Sequence, residues 1–467
     1  ILKEITMIEP IRYGSLDPVE TWLYSFLLLN ATTPKSLLQS VPHPNDCQLY
    51  FVNKSTLMSY HKSSERFFHS IWSLFVGSHY RNSPDDLQML ADAPGHFLAV
   101  LLGPIDESNK KQNLPDVLVA IQMSLEGGIS IENQIKNNSR GFRPAGDLVP
   151  WTLADQKIET SLLSKIGVRI VRIAVNSKAG RLGFGTKAIS LLSTFFENKN
   201  SIEYNENDNQ FSLQTFENFC SDLSSTESKS ISLRKCLPPL LKPCNELISP
   251  KNISYLSVSY GITKDLLSFW DKNNFKTVYL KQTKNDITGE HTSIALKSID
   301  NNTTLNLNSI VAEFKHRLIP LLSGEFRNID LFIVVQLLNN TFDENKENTS
   351  MIANRFTEKD LSRLEAYCKS NVEHPLIKDL IPALSEIFFN NMFSNQLHLA
   401  LSQIIILIGT SLQKRSFEDI CCLTGLEINQ VLALYNKTIK KLSKYVREAI
   451  ENKISEEVGM KKSEKEE

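Results

Sequence analysis

Residues 168–192 read VRIVRIAVNSKAGRLGFGTKAISLL, and the fold turns on how this stretch is read. Val168, Ile170, Ile173 and Val175 are apolar, with Val171 and Ala174 filling the other face, over a run too short for a helix. A β-branched run that is apolar on both sides is an interior strand. It stops at Asn176-Ser177. Beyond Gly183 and Gly185, the apolar members of Thr186, Ala188, Ile189, Leu191, Leu192 and Phe195 recur at helical spacing. The unit is strand, glycine turn, helix. Such a turn lets an anion approach the backbone, because no Cβ intervenes and the helix's first turn offers unpaired N–H groups and a positive dipole end. A phosphate or pyrophosphate is the natural guest.

Two familiar phosphate loops do not fit. Residues 180–187, GRLGFGTK, have P-loop glycine spacing, but Thr-Lys stands where Lys-Ser or Lys-Thr is required, so no lysine reaches a β/γ-phosphate. Gly180, Gly183 and Gly185 are spaced G-x-x-G-x-G, which is not the Rossmann fingerprint. The stretch resembles instead the acetyl-CoA loop of the GNAT acetyltransferases, Q/R-x-x-G-x-G/A. Further blocks sharpen the resemblance: EPIRYG (9–14), SHYRNSPDDLQMLADAP (78–94), YLSVSYG (255–261) with TKDLLSFW (263–270), and KQTKNDITGEH (281–291). In this order they are similar to the RNA cytidine acetyltransferases, over nearly the whole chain including its tail.

The resemblance implies an α/β fold, a GNAT-type mixed sheet flanked by helices, followed by an all-α C-terminal tail domain. It divides the chain into 1–45, the C-terminal end of a RecA-like helicase module, then 46–300, a GNAT domain with an insertion at about 197–250, then 301–467, a helical RNA-binding tail. It implies transfer of acetyl from acetyl-CoA to the N4 amine of cytidine in 18S rRNA and tRNA, coupled to ATP hydrolysis in the full-length protein, with a role in small-subunit ribosome biogenesis. The implied partners are 18S pre-rRNA, tRNA, small-subunit pre-ribosome components and a tRNA-adaptor protein, with a homodimer among the assemblies it admits. The implied location is the nucleus and nucleolus.

By resemblance, the pantetheine arm of acetyl-CoA pairs with Ile173, Ala174 and Val175, its pyrophosphate rests on Gly180, Arg181, Leu182, Gly183, Phe184, Gly185 and Thr186, and Lys272 stands near its phosphates. Arg12 falls where the family's arginine reaches ATP phosphates, and His79 falls at the position of its proposed base. Each has a plainer reading: Lys272 as a solvated helix-end lysine, Arg12 as an ion-pair partner, His79 as a cap holding Tyr80 or Asp85. The sequence departs from the family at Gly180, where Gln or Arg is usual, and at Asn176, where His is usual. These departures bear on cofactor affinity, with Arg181 as a candidate replacement.

The chemistry asks for little more. Backbone N–H groups at the end of the core strand can polarise a thioester carbonyl without any side chain. Cytidine's conjugated amine needs a base for its proton, and histidine suits this near neutral pH. His291, in the ITGEH turn, reads as structural or RNA-orienting.

The remaining chain fits this frame. Asp17, Pro18 and Glu20 open a capped helix with Trp22, Leu23, Phe26 and Leu27 on its apolar face. Residues 47–52 predict a first strand, and Ser63 or Ser64 opens a helix running to about Gly77. Ser83-Pro84-Asp85-Asp86 opens the next, and Phe97–Leu102 and Val117–Leu125 predict two strands. In the tail, Lys437, Lys440, Lys441, Lys444 and Arg447 form a basic stripe opposite Leu434, Ile439, Leu442 and Val446. A stripe of this kind is a solvated face or a phosphate contact.

With 467 residues, 41% apolar, the chain has material for two or three domains, and its net charge of −1 leaves any RNA surface to be local. Seven cysteines without regular spacing suit a reducing compartment, and no C-x-x-C pair suggests a metal. No apolar run of about 18 residues predicts a membrane span. Beginning at Ile1 inside a motif-bearing segment, the chain reads as a fragment, and without Walker A lysine or Walker B carboxylate it does not hydrolyse ATP alone. Two alternatives stay open: a weakly or non-catalytic ribosome-assembly scaffold, and a GNAT protein or lysine acetyltransferase.

Overall fold

The computed structural model describes the chain apart from residues 1–2, 4, 6–10, 32–40, 60, 80–81, 94, 106–114, 140, 142–145, 198–213, 216–237, 251, 300–304, 339–354, 371, 391–396 and 464–467. Glu9, Pro10, Tyr80 and most of the predicted insertion therefore lie outside the described residues. Contacts divide the chain into two compact units, one of residues 1–259, 273–275 and 296–305, the other of 260–272, 276–295 and 306–467.

In the first unit, α1 (Pro18–Phe26) begins as its sequence predicts, with Asp17 Oδ1 accepting from Val19 N and Glu20 N. Its apolar face is not buried: Trp22 and Phe26 stack at 5.0 Å and both remain more than half exposed. β1 (Gln48–Val52) follows, then a short α2 (Lys54–Leu57) and α3 (Lys62–Ser78). The cap of α3 is His61, whose Nδ1 accepts from Ser63 N, in place of the predicted serine. α4 (Pro84–Asp92) starts where predicted, and β2 (His96–Leu102) and β3 (Val117–Gly127) are the two predicted strands. α5 (Ile131–Ser139) and α6 (Leu148–Asp155), not anticipated from the sequence, precede β4 (Ile166–Val175). α7 (Phe184–Glu197) is the helix after the glycine turn.

Of the segment read as an insertion at about 197–250, residues 214–215 and 238–250 are described. After β5 (Gln214–Thr215), β6 (Leu241–Pro243) pairs antiparallel with β1, so the end of that segment supplies an edge of the sheet, and β7 (Leu247–Ile248) pairs with β5. Then come β8 (Ile253–Gly261), α8 (Lys264–Lys272), β9 (Lys276–Lys284) and β10 (His291–Ser298). Among the described residues, eight strands are hydrogen-bonded in the order β6-β1-β2-β3-β4-β8-β10-β9. β1 to β4 form an antiparallel meander, while β4 and β8 run parallel, so the sheet is mixed.

One face of the meander carries α3. Phe67, Ile71, Trp72 and Phe75 recur at three- and four-residue steps and bury against Leu98, Val100, Ala120 and Ala174. Aromatic and aliphatic side chains at this spacing are what make α3 a helix whose stability comes from the sheet. On α7, Phe195 meets Phe51 of β1 at 4.8 Å.

The second unit is helical around β9, α8 and most of β10. α9 (Leu307–Leu321), α10 (Leu331–Leu338), α11 (Glu358–Cys368), α12 (Ile381–Phe389), α13 (Leu401–Leu407), α14 (Phe417–Thr424) and α15 (Ile428–Ser463) pack about one apolar core. Gly425, left-handed at φ 70°, closes α14 and frees the chain to turn into α15. Among the described residues no helix is long and apolar enough to cross a membrane, no group of acidic, His and Cys side chains could hold a metal, and Cys47, Cys244, Cys368, Cys421 and Cys422 are free thiols.

Gly167 tests the packing of β4 on β8. A Cβ there would sit 2.2 Å from ring carbons of Tyr255, which is wholly buried and has no room to withdraw. Gly167→Ala is expected to lower stability by about 1–3 kcal/mol in urea denaturation; an unchanged midpoint would show that this packing is loose.

Candidate active site

The ladder between β4 and β8 runs from Ile166↔Ile253 to Ile170↔Val258. From Val171 to Val175, β4 is paired with β3 alone among the described residues. Its other edge therefore offers backbone N–H and C=O groups, the geometry that an extended amide-bearing arm can pair with. Ile173, Ala174 and Val175, the predicted pantetheine contacts, lie on this segment.

At the same place β4 carries a bulge. Gln122 pairs with Arg172 and Met123 with Ile170, so Val171 is the extra residue. A bulge bends the strand and exchanges the faces of the residues beyond it. Arg169 and Arg172, three apart, would otherwise point to opposite faces. The bulge puts both on the face shared by Ser124 and Gln122, their partners on β3. The spacing of Val168, Ile170, Ile173 and Val175, with a three-residue step in an alternating set, was the signal for it.

The strand ends in a built loop. Asn176 is buried, its N–H donates to Leu118 O at 2.8 Å, and its Oδ1 accepts from Lys178 N at 3.1 Å. It thereby caps the turn Ser177–Ala179. Gly180, Arg181, Leu182 and Gly183 are exposed, whereas Phe184 and Gly185 are buried in the first turn of α7 and Thr186 is exposed. Gly183 has φ 92°, with no atom within 4 Å of where a Cβ would be, so the approach to the helix start is open. Lys187 N bonds back to Gly183 O at 2.9 Å, and the N–H groups of the first turn before it are those that a helix start leaves without an intrahelical acceptor. Lys178 and Arg181 add positive charge. An anionic cofactor carried on the loop with an extended arm along β4 fits these residues.

His79 caps the C-terminus of α3, its N–H donating to Phe75 O at 3.0 Å. Its ring lies against Phe75, and its Nε2 is buried without a hydrogen-bond partner. Burial, seconded by the Arg172 guanidinium and opposed by Asp86, lowers its pKa to about 4. The imidazole is thus neutral at physiological pH and able to accept a proton. Arg172 donates Nη2 to Asp86 Oδ1 at 3.0 Å, and its guanidinium lies 5.8 Å from the centre of the Trp72 ring. Asp86 Oδ2 in turn accepts from Ser83 N and Ser83 Oγ at 2.9 and 3.0 Å, so α4's first turn and β4 are tied through one carboxylate. Along the same face, Gln122 Nε2 lies 3.1 Å from His96 Nδ1, and Arg169 is paired with Glu126. Sequence reading singled out His79; Arg172, Gln122 and His96, which lie near it on β4, β3 and β2, were not singled out.

Arg12 is exposed in the loop before α1. Lys272 is exposed in the last turn of α8, in the second unit. His291 is buried, with Nδ1 2.9 Å from Lys281 O and its ring edge-on to Phe326, a structural placement.

Strand order, the one-sided edge of β4 and the glycine turn define a GNAT acetyltransferase domain, and a family model described as GNAT acetyltransferase 2 matches residues 70–300. A model described as a possible tRNA binding domain matches residues 306–467. Proteins named RNA cytidine acetyltransferase are similar along the chain. That of Dictyostelium discoideum is 38% identical over 98% of this chain and 46% of its own length. That of Saccharomyces cerevisiae is 36% identical over 97% and 44%, and that of Homo sapiens 36% over 98% and 45%. The chain spans just under half the length of these curated relatives, and it belongs to the RNA cytidine acetyltransferase family.

Two outcomes follow from the histidines. His79→Ala is expected to slow acetyl transfer roughly 10²- to 10⁴-fold while acetyl-CoA affinity, read by calorimetry, is unchanged; undiminished turnover would remove His79 from the chemistry. His96, like His79, is held down to about 4 by burial first, with Arg169 and Lys54 adding to it. Below the ordinary value of 6.5 the unfolded chain binds protons that the folded histidines refuse. Their contribution is therefore full above that pH and lost as pH falls toward 4. Urea denaturation is expected to show a loss of up to roughly 2 kcal/mol from His79 at pH 5 and a smaller one from the more exposed, better screened His96, and a double His→Gln variant with the same acid sensitivity would contradict it.

Proposed function

We propose that this chain carries the acetyl-transfer site of an RNA cytidine acetyltransferase, modifying the N4 amine of cytidine in tRNA and 18S rRNA. The observation that supports it most is the juxtaposition, within one unit, of an open glycine turn, a β4 edge free beyond Ile170 and a neutral His79 near the bulge. Acetyl-CoA, when bound, supplies the acetyl group as an activated thioester. The N–H groups from Gly183 to Thr186 receive its pyrophosphate, and the free edge of Ile173, Ala174 and Val175 orients its arm. Backbone N–H groups beside the Val171 bulge are positioned to stabilise a carbonyl oxygen as it gains charge. His79 Nε2 accepts the proton that the acceptor amine loses. That proton becomes strongly acidic once the nitrogen has bonded to carbon, so a base as weak as this imidazole suffices. Burial keeps the base free of protons and of water.

The helical C-terminal region is the RNA contact in this reading. On α15, Ile439, Leu442 and Val446 are buried while Lys437, Lys440 and Lys444 are exposed, and with Lys441 these line a shallow cleft of about 460 Å³. Arg447, further along the helix, is paired with Glu365 and Glu451, and Lys444 Nζ lies 3.6 Å from Glu448 Oε1. Coupling to ATP through Arg12, nucleolar location, and pre-ribosomal or adaptor partners extend the same reading to the longer protein. Incubation of the full-length protein with acetyl-CoA, ATP and an RNA bearing an acceptor cytidine is expected to yield N4-acetylcytidine by mass spectrometry; labelled lysine in place of labelled RNA would favour a protein acetyltransferase, and no saturable acetyl-CoA binding would favour a scaffold. Lys437→Glu with Lys440→Glu is expected to weaken RNA binding and flatten its salt dependence by about one unit of slope for each phosphate no longer neutralised. An unaltered slope would return these lysines to solvent.

A further inference from the structure

Three polar atoms on one face of the first unit are buried and unpartnered: His79 Nε2, Arg172 Nη1 and Gln122 Oε1. They belong together. Arg172 and Gln122 are directly opposed partners on β4 and β3, and Arg172 and His79 feel each other's charge. Buried polar groups in a folded protein are nearly always satisfied, so three such atoms in one cluster point to a missing partner with matching polarity. Arg172 is held for that partner. One nitrogen is spent on Asp86 at 3.0 Å and the plane lies by Trp72, which leaves Nη1 and its two N–H donors unused. Gln122 is likewise oriented, its Nε2 at 3.1 Å from His96 Nδ1, leaving Oε1 as an unused acceptor.

The unused set comprises a proton acceptor at His79, a second acceptor at Gln122 and a pair of donors at Arg172. Cytosine's edge is its complement: N4 presents two N–H donors, and N3 and O2 present two acceptors. Uracil, with N3–H and O4, would set a donor against the guanidinium and an acceptor against Gln122. We propose that Arg172 and Gln122 read the acceptor base as cytosine, the guanidinium donating to N3 and O2 and Gln122 Oε1 accepting the N4–H that does not go to His79. The assignment rests on the cytidine acetyltransferase reading above and adds to it the residues that select the base.

The test uses the full-length enzyme and two synthetic RNAs, one with a single acceptor cytidine and one with 3-deazacytidine there, in which C–H replaces N3. For the unmodified enzyme kcat/KM is expected to fall roughly 10- to 100-fold on the analogue. Arg172→Lys keeps the positive charge beside Asp86 and His79 but loses the planar fork. It is expected to fall by a similar factor on cytidine and to show little further loss on the analogue, since both changes remove the same hydrogen bond. Penalties that multiply would overturn the assignment, and so would an Arg172→Lys enzyme of undiminished kcat/KM. Should Arg172→Lys fail to fold by circular dichroism, Gln122→Leu decides: about tenfold lower kcat/KM for RNA with unaltered acetyl-CoA affinity supports the proposal, and unchanged kcat/KM overturns it. Absence of acetylation on any cytidine RNA by the unmodified enzyme would overturn the parent reading as well, and is thereby distinct from multiplied penalties.

Discussion

The molecule's chemistry depends on where β4 stops pairing with β8. The parallel ladder holds from Ile166 to Ile170 and is then released, and the bulge at Val171 falls at the point of release. Had the ladder continued, the backbone groups of residues 171–175 would be consumed by a neighbouring strand and no edge would remain for a ligand. Had the bulge been missing, Arg172 would point away from Asp86 and Trp72. One added residue thus sets two features of the strand: a backbone edge that β8 leaves unpaired and the side-chain cluster of Arg172, Asp86 and Trp72.

The electrostatics of that cluster follow from competition between burial and pairing. Asp86 is pushed up by burial, yet the Ser83 backbone and hydroxyl bonds and the Arg172 guanidinium together hold its carboxyl below the usual range. It is therefore a full counter-charge to Arg172. His79 sits in the fields of both, and because they oppose one another, desolvation decides its state. A neutral imidazole next to an arginine is the result of cancelled charges in a dry place. Glu126 and Arg169, paired further along the same face, stand by His96, where burial comes first and the Arg169 charge adds to it.

Sequence reading reached much of this and stopped for physical reasons. The strand, glycine turn and helix of 166–197 were legible because each carries a local signature of β-branching, glycine and helical periodicity. The capped starts of α1 and α4 were legible for the same reason, since Asp17 and Ser83 act within three residues of themselves. What escaped was non-local. β6 lies in a polar, Ser- and Asn-rich segment, and only pairing with β1, nearly two hundred residues earlier, makes it a strand. Arg172 lies in an apolar run and was not singled out; its meaning depends on a face change that needs the register with β3. Arg447 matched the spacing of the basic stripe, but spacing cannot show that Glu365, on α11, already holds it.

The two departures from the family at the loop bear on how such a site tolerates change. Gly180 has φ −61°, which any residue adopts, and a side chain there would approach Ser177 O to 3.2 Å, so glycine is not demanded by backbone strain. Gly183, at φ 92°, is. Asn176, in turn, serves the loop through its cap on Lys178 N and its own N–H on Leu118 O. The loop's form is carried by Asn176 and Gly183, and the main-chain N–H groups at the start of α7 are ones that no substitution short of proline removes. Loss of a side chain at 180 therefore takes away at most an added interaction, while the form of the turn stays intact.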